Sequence, residues 1–161
     1  MQVRAEDWPV PEGGWNISSM TGLFASDPAE LGDVDVDVVE DSEVLVITLK
    51  EQGGLSVLAA ASGEQVLCSV LLAEAASIPR REAFERTLLS VHKLIPLSTF
   101  GITVIDGTEW YELFGALSSA SPAAALVEEV AVLAANAIDA ADWIREWIEA
   151  GGEPAEMGDA A

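Results

Sequence analysis

HKLIPLSTFGITVIDGTEWYELFGALSSAS, residues 92–121, is the stretch around which the rest of the chain is arranged. Pro96 cannot continue a helix that reaches it, and its ring pushes Ile95 out of the α region. Ile102–Ile105 then reads as a short β-run, Asp106-Gly107 follows, and Thr108–Phe114 reads as a second run. Asp-Gly supplies the two positive-φ positions of a type I′ turn, whose twist matches that of paired strands, so the two runs form a hairpin. The second run alternates Trp110, Glu112 and Phe114 on one face with Glu109, Tyr111 and Leu113 on the other. Neither face is purely polar. Both sides of this strand are therefore expected to be partly covered, one by a helix and the other by a partner.

Working outward toward the N-terminus, Pro79 suits the first turn of a helix running to about Leu94. Phe84, Leu88, Val91 and Ile95 form its buried stripe, and Arg81–Glu85 and Glu82–Arg86 are i,i+4 pairs on its exposed side. Before it, Val34, Val36 and Val38 alternate with Asp33, Asp35 and Asp37, the period of a half-buried strand. Val44–Leu49, Leu55–Ala60 and Gln65–Leu72 follow, joined at Gly53-Gly54 and Ser62-Gly63, and predict an antiparallel meander. The last of these is apolar on both faces, which places it inside the sheet. Asn16 caps a short helix to Phe24. Residues 1–15, with Pro9, Pro11, Gly13 and Gly14, read as a flexible arm carrying Trp8 and Trp15.

Toward the C-terminus, Ser121 and Pro122 start a long helix as cap and first residue, and Gly151 ends it. Leu126, Val130, Leu133, Ala137, Ile144 and Ile148 hold one register, with Ala141 between, while Trp143 and Trp147 lie one step around the cylinder. Residues 151–161 read as a disordered acidic tail. The prediction is a single α+β domain over 16–150. It has an antiparallel sheet of five to six strands with two or three helices, in the order α-β-β-β-β-α-β-β-α.

The run His92-Lys93-Leu94-Ile95-Pro96-Leu97-Ser98, then Gly101, then Tyr111 with Phe114-Gly115-Ala116-Leu117-Ser118, resembles the bacterial YjfI-like family. The resemblance spans about residues 16–150, leaving out the first 15 residues and the tail after Gly151. It implies a fold like that of YbjN-like and type III secretion chaperone-like proteins. It also implies an adaptor or chaperone-like role, and the frequent gene neighbourhood of PspA-like membrane-stress proteins makes a PspA-like coiled-coil protein the implied client.

Composition narrows the function classes. The chain has 161 residues, half of them hydrophobic, with a formal net charge of −21. Such a chain has no basic patch to neutralise phosphates, which argues against nucleic acid, and anionic membrane surfaces repel it. The acidity fits general solubility, a salty cytoplasm, or complementarity to a basic partner. The start, MQVRAEDWPV, has no apolar signal-peptide core, and no run of 18 apolar residues occurs, so no direct membrane insertion and a cytoplasmic location are expected.

No catalytic, cofactor or metal constellation stands out. Asp33-x-Asp35-x-Asp37 opens like a calcium loop, yet Val38 and Val44 occupy the positions where such a loop needs Gly and Glu. His92 is the only histidine and Cys68, set among Val66, Leu67, Val70 and Leu71, the only cysteine. That excludes a multi-histidine metal site within one chain and gives a Cys68–His92 pair no third group to orient it. His92 and Lys93 suit a helix C-terminus, where cations complement the dipole, or a contact with a partner. Trp143 and Trp147 either complete the core or offer an aromatic strip to a partner. The candidate partner-binding residues are Trp110, Phe114, Trp143, Trp147, His92 and Lys93. The expected function is a non-enzymatic protein-binding adaptor, acting as a homodimer. The alternative is a small-molecule-sensing regulatory domain with a pocket between the last helix and the sheet.

Overall fold

A computed structural model describes residues 4–153. The elements are α1 (Ile17–Ala25), β1 (Val34–Val38), β2 (Val44–Leu49), β3 (Leu55–Ser62), β4 (Gln65–Glu74), α2 (Arg81–Val91), β5 (Thr99–Ile105), β6 (Thr108–Ser118) and α3 (Ala123–Glu149). The strands form one six-stranded antiparallel sheet in the order β1-β2-β3-β4-β6-β5. This is the expected α+β order. The first four strands make the meander, and β4 is interior because β6 hydrogen-bonds to its far side.

The hairpin forms around Asp106 (φ 49°) and Gly107 (φ 80°), the paired left-handed residues of a type I′ turn. Both of its strands outrun the sequence reading: β5 starts at Thr99 and β6 continues to Ser118. Pairing to β4, down to Gln65↔Ser118, carries β6 through Gly115 and Ala116, residues of poor intrinsic strand propensity.

Helices α1, α2 and α3 lie on one side of the sheet. Against them the sheet turns Leu45, Ile47, Leu49, Val57, Ala59, Val66, Cys68, Val70 and Leu113, all at most 2% exposed. These join Met20, Leu23 and Phe24 of α1 and Leu126, Val130, Leu133 and Ala137 of α3 in the main core. A second cluster gathers Phe84 and Leu88 of α2, Tyr111 of β6, and Ile144 and Trp147 of α3. Leu72 and Phe100 touch both clusters.

The helix ends carry several corrections. Asn16 caps α1 in a reciprocal box with Ser19, as its position suggests. Pro79 does not open α2, because Arg80 intervenes in the left-handed region (φ 52°, ψ 53°) and its carbonyl accepts the first helical bond, from Phe84 N–H. The helix stops at Val91, and His92–Leu94 form one turn of 3₁₀-helix. Arg81 does pair with Glu85 at 2.7 Å, whereas Glu82 and Arg86 form no ion pair among the described residues. Ser121 gives α3 no side-chain cap. Pro122, with ψ 150°, stands outside the helix as its N-cap residue. On α3, Ala140 and Trp147 are buried where Ala141 and Ile148 were expected; Ile148 is 42% exposed. The other end is a full Schellman motif: Gly152 N–H donates to Trp147 C=O and Gly151 N–H to Ile148 C=O.

From residue 4 onward the N-terminal segment is seated on the core rather than loose. Ala5 is 1% and Trp15 3% exposed, and Trp8 packs alongside them. Trp15 donates its backbone N–H to Ser119 C=O at 2.8 Å and its indole Nε1–H to Ser121 C=O at 2.7 Å. Two tryptophans bring enough apolar area to hold a Pro/Gly-rich segment in place. Of the tail expected over 151–161, residues 151–153 form the end of the Schellman turn, and the remainder lies outside the described residues.

Candidate protein-binding face

Side chains alternate across a strand, so the sheet has a second face, opposite the helices, that no described helix covers. It presents Val44 and Val46 of β2, Leu58 and Ala60 of β3, and Leu67, Ser69 and Leu71 of β4. Trp110, Glu112 and Phe114 of β6 continue it, and every one of these residues is half-buried, while Asp35 and Asp37 of β1 and Glu74 of β4 put charge at its rim. Cross-strand register makes them neighbours: Val46 opposes Leu58, Ala60 opposes Leu67, Ser69 opposes Phe114 and Leu71 opposes Glu112. Phe114 leans across β5, where a Cβ on Gly101 would stand 3.0 Å from its ring. Glycine there lets an aromatic ring lie flat over the neighbouring strand. Glu112 is the carboxylate set among these apolar residues, and partial burial pushes its pKa up.

Of the six candidate partner-binding residues, Trp110 and Phe114 share this face. Trp143 and Trp147 are on the opposite side, in the aromatic cluster with Phe84 and Tyr111. Phe84 stacks on Trp143 at 5.2 Å between centroids and meets Tyr111 and Trp147 edge-on at 4.9 and 5.5 Å. Trp147 is 3% exposed and donates Nε1–H to Pro79 C=O, so it completes the core. The sheet separates it from Trp110, and the two cannot form one strip. His92 and Lys93 lie on the 3₁₀ turn after α2; His92 sits edge-on to Phe100 at 6.2 Å and Lys93 is exposed.

Three polar arrangements adjoin these surfaces. Arg81 bridges Glu85 and Glu109, each at 2.7 Å, with its guanidinium carbon 5.8 Å from the Tyr111 ring centroid. Tyr111 donates its hydroxyl to Glu85 at 2.8 Å. Arg81 and Tyr111 hold Glu85 below the usual carboxylate value, while burial and then Glu85 push Tyr111 up to about 12. At the far edge, Lys50 bonds to Asp33 and Asp35 at 3.2 and 2.9 Å, so two of the three alternating aspartates hold a lysine instead of an ion.

The third arrangement is one that sequence reasoning missed. Glu129 of α3 is 5% exposed, its carboxyl lies directly over Gly115, and Oε1 has no hydrogen-bond partner among the described residues. Burial, then the neighbouring Glu128, raises its pKa. Glu128-Glu129 looks like a solvated helix face, and the only available signal was Gly115, a strand glycine marking a close approach. Cys68 lies opposite Gly115 on the ladder. Burial, with the Glu129 charge second, pushes its thiol up to about 12.

Comparison with known proteins agrees with this fold. Residues 14–148 match a family described as uncharacterised proteins conserved in bacteria, DUF2170. The protein YjfI of Escherichia coli K12 is 27% identical over 133 residues, which cover 83% of this chain and 97% of that protein. YjfI of E. coli O157:H7 matches to the same extent. Among solved structures, E. coli YbjN superposes with a TM-score of 0.50 at 12% identity, over 78% of this chain and 94% of that one.

Proposed function

Because the chain belongs to the DUF2170 family and shares its fold with YbjN, we propose that it is a non-enzymatic, cytoplasmic protein-binding module of the adaptor or chaperone-like kind. The observation that carries this reading is the uncovered sheet face. On a chain of net charge −21 it keeps Val46, Leu58, Leu67, Leu71, Trp110 and Phe114 together, with Glu112 among them and the exposed Asp35, Asp37 and Glu74 at its rim. Apolar fields of this kind on an otherwise polar surface mark protein contact sites. The client would lay an apolar helix or strand across the face, with Trp110 and Phe114 as aromatic anchors. A PspA-like coiled-coil protein is the client class that the family resemblance points to. The surrounding acids would speed encounter with its basic segments and keep the complex soluble.

The non-enzymatic reading draws support from the burial of the only cysteine: Cys68 is 1% exposed, which keeps its thiol from any substrate.

Titration of a purified PspA-like coiled-coil protein tests the proposal. Trp110→Ala with Phe114→Ala is expected to weaken binding at least tenfold while leaving the circular dichroism unchanged. An affinity untouched by the double substitution would sink this reading.

A second reading rests on a groove of about 300 Å³ between α2, β5 and α3, walled by Leu88, Val91, Ile95, Phe100, Ala140 and Trp143. A small apolar ligand there would make the domain a sensor. Its sign would be thermal stabilisation by a metabolite that Trp143→Ala abolishes.

A further inference from the structure

The sheet ends in two unlike edges. Strand β1, Val-Asp-Val-Asp-Val, lines its edge with Asp35 and Asp37, charges that block strand addition. Strand β5, Thr-Phe-Gly-Ile-Thr-Val-Ile, has no charge and no proline, and no described loop covers it. In a two-residue hairpin the closing pair, Ile105 and Thr108, exchanges both hydrogen bonds, and the alternation then bonds Thr103, Gly101 and Thr99 to β6. Phe100, Ile102 and Val104 therefore turn their N–H and C=O groups outward. Their side chains do not shield them, since Ile102 is 48% and Val104 62% exposed. Leu89 of α2 lines a groove with Ile102 and Phe100, and both Leu89 and the nearby Leu94 are 73% exposed.

Charge identifies the occupant. Residues 80–105, which contain α2 and β5, hold four of the chain's seven Lys and Arg but only two of its 28 Asp and Glu. The segment is net +2 in a chain of net −21, and the rest of the chain is strongly acidic. Two copies that meet here bring together segments of small net charge rather than strongly acidic ones, so like-charge repulsion is weakest at this edge. Head-to-tail pairing of β5 with β1 would bury Asp35 or Asp37, so growth of a filament is blocked. Pairing of β5 with β5 buries no charge and closes on itself.

We infer that β5 is a homodimer interface, in which two copies pair antiparallel about a two-fold axis through Ile102. Ile102 is the middle residue of the seven-residue strand, so this register overlaps the whole strand. It sets Ile102 opposite Ile102, and Phe100 opposite Val104 of the second copy, each an outward-facing pair able to exchange both hydrogen bonds. Leu89 lies beside the side chains thus joined. The product is one continuous twelve-stranded sheet.

The dimer deepens the protein-binding reading and rests on it only for its use. The sheet order places β6 next to β5, so the two copies' Trp110 and Phe114 rows come to lie three strand spacings apart, about 14 Å. Twin aromatic rows at that separation flank a single helix, whose diameter is about 10 Å.

Sedimentation equilibrium on the full chain tests the interface. Wild type is expected to be dimeric, with affinity rising from about 0.05 to about 0.5 M NaCl as like-charge repulsion is screened. Ile102→Lys is expected to be monomeric with unchanged circular dichroism, and Val38→Lys, on the β1 edge, to remain dimeric. Register is read from single cysteines: Ile102→Cys, with Cα atoms about 5.5 Å apart across the axis, is expected to oxidise to a covalent dimer at least tenfold faster than Val104→Cys. A monomeric wild type in high salt, a dimer that survives Ile102→Lys, or equal oxidation at both positions would overturn the inference. Client binding is scored in parallel. A monomer that still binds client through Trp110 and Phe114 removes the dimer and leaves the adaptor reading standing. A dimer whose client affinity ignores those residues removes the adaptor reading and leaves the interface.

Discussion

Strand β6 meets two environments with alternate residues. Toward the helices it turns Tyr111, Leu113 and Gly115, each fitted to a partner: Phe84 and Glu85, the main core, and Glu129. Toward the other side it turns Trp110, Glu112 and Phe114, as bulky and nearly as apolar, with no described element over them. Solubility alone would fill such positions with charge, as β1 does with Asp35 and Asp37. The contrast shows that the helix-side set is fixed by volume and hydrogen bonding within the chain, whereas the open set is apolar beyond what folding needs.

The largest expected effect separates the two faces directly. Phe84→Ala opens a hole between Tyr111, Trp143 and Trp147 and is expected to cost about 3–5 kcal/mol by urea denaturation. Phe114→Ala, on the open face, should cost about 1 kcal/mol or less, and equal losses would erase the distinction.

Next comes Gly115→Ala, whose methyl group would occupy the place of the Glu129 carboxyl. A loss of about 2 kcal/mol is expected from overpacking. Adding Glu129→Ala to the same chain should recover at least half of it; no recovery would mean that the two sites do not compete for this space.

The third contrast is one of pH. The Glu129 pKa is raised on folding, so the folded chain binds this proton more tightly than the unfolded chain. The penalty is therefore absent below the ordinary glutamate value of 4.5 and grows to its full size as pH rises through the raised value. Glu85 runs the other way: its lowered value contributes stability above 4.5 that is lost as pH falls through the folded value. Glu129→Gln should thus remove part of a decline in stability with rising pH, the raised Glu112 keeping the remainder. Urea midpoints measured between about pH 4 and 8 check this, and a wild-type slope retained in the variant would show that Glu129 is not the group responsible.

Smallest is Tyr111→Phe, which deletes the hydroxyl bond to Glu85 but leaves the Arg81 bridge. A loss of about 1 kcal/mol is expected in thermal or urea melts. A value near zero would mean that Arg81 alone secures Glu85.

Much of this is legible in the residues. Asp106-Gly107 locates the hairpin, the valine–aspartate alternation locates β1, and Gly151 locates the end of α3. The alternation in β6 is enough to separate Trp110 and Phe114 from Tyr111 and Leu113. What stays hidden depends on tertiary partners. Trp147 and Ile148 are adjacent on α3, and only the presence of Phe84 and Pro79 C=O on one side decides which turns inward. Gly115 and Ala116 have no strand propensity to advertise, yet β4 holds them in the ladder. The left-handed Arg80 also makes a long-range bond, its guanidinium to Gly152 C=O at 3.2 Å, and no local pattern encodes either feature.

Trp15 gives the molecule an order of assembly. Its indole and backbone bonds reach Ser121 and Ser119, about a hundred positions along the chain, while the meander closes through loops of a few residues. Loop-closure entropy makes the short connections form first and the long one last. The two hydrogen bonds from Trp15 have no acceptors until β6 has added to β4 and α3 has begun. In a refolding time course, then, burial of Trp15 marks completion of the fold, and the strand signal from the meander should run ahead of it.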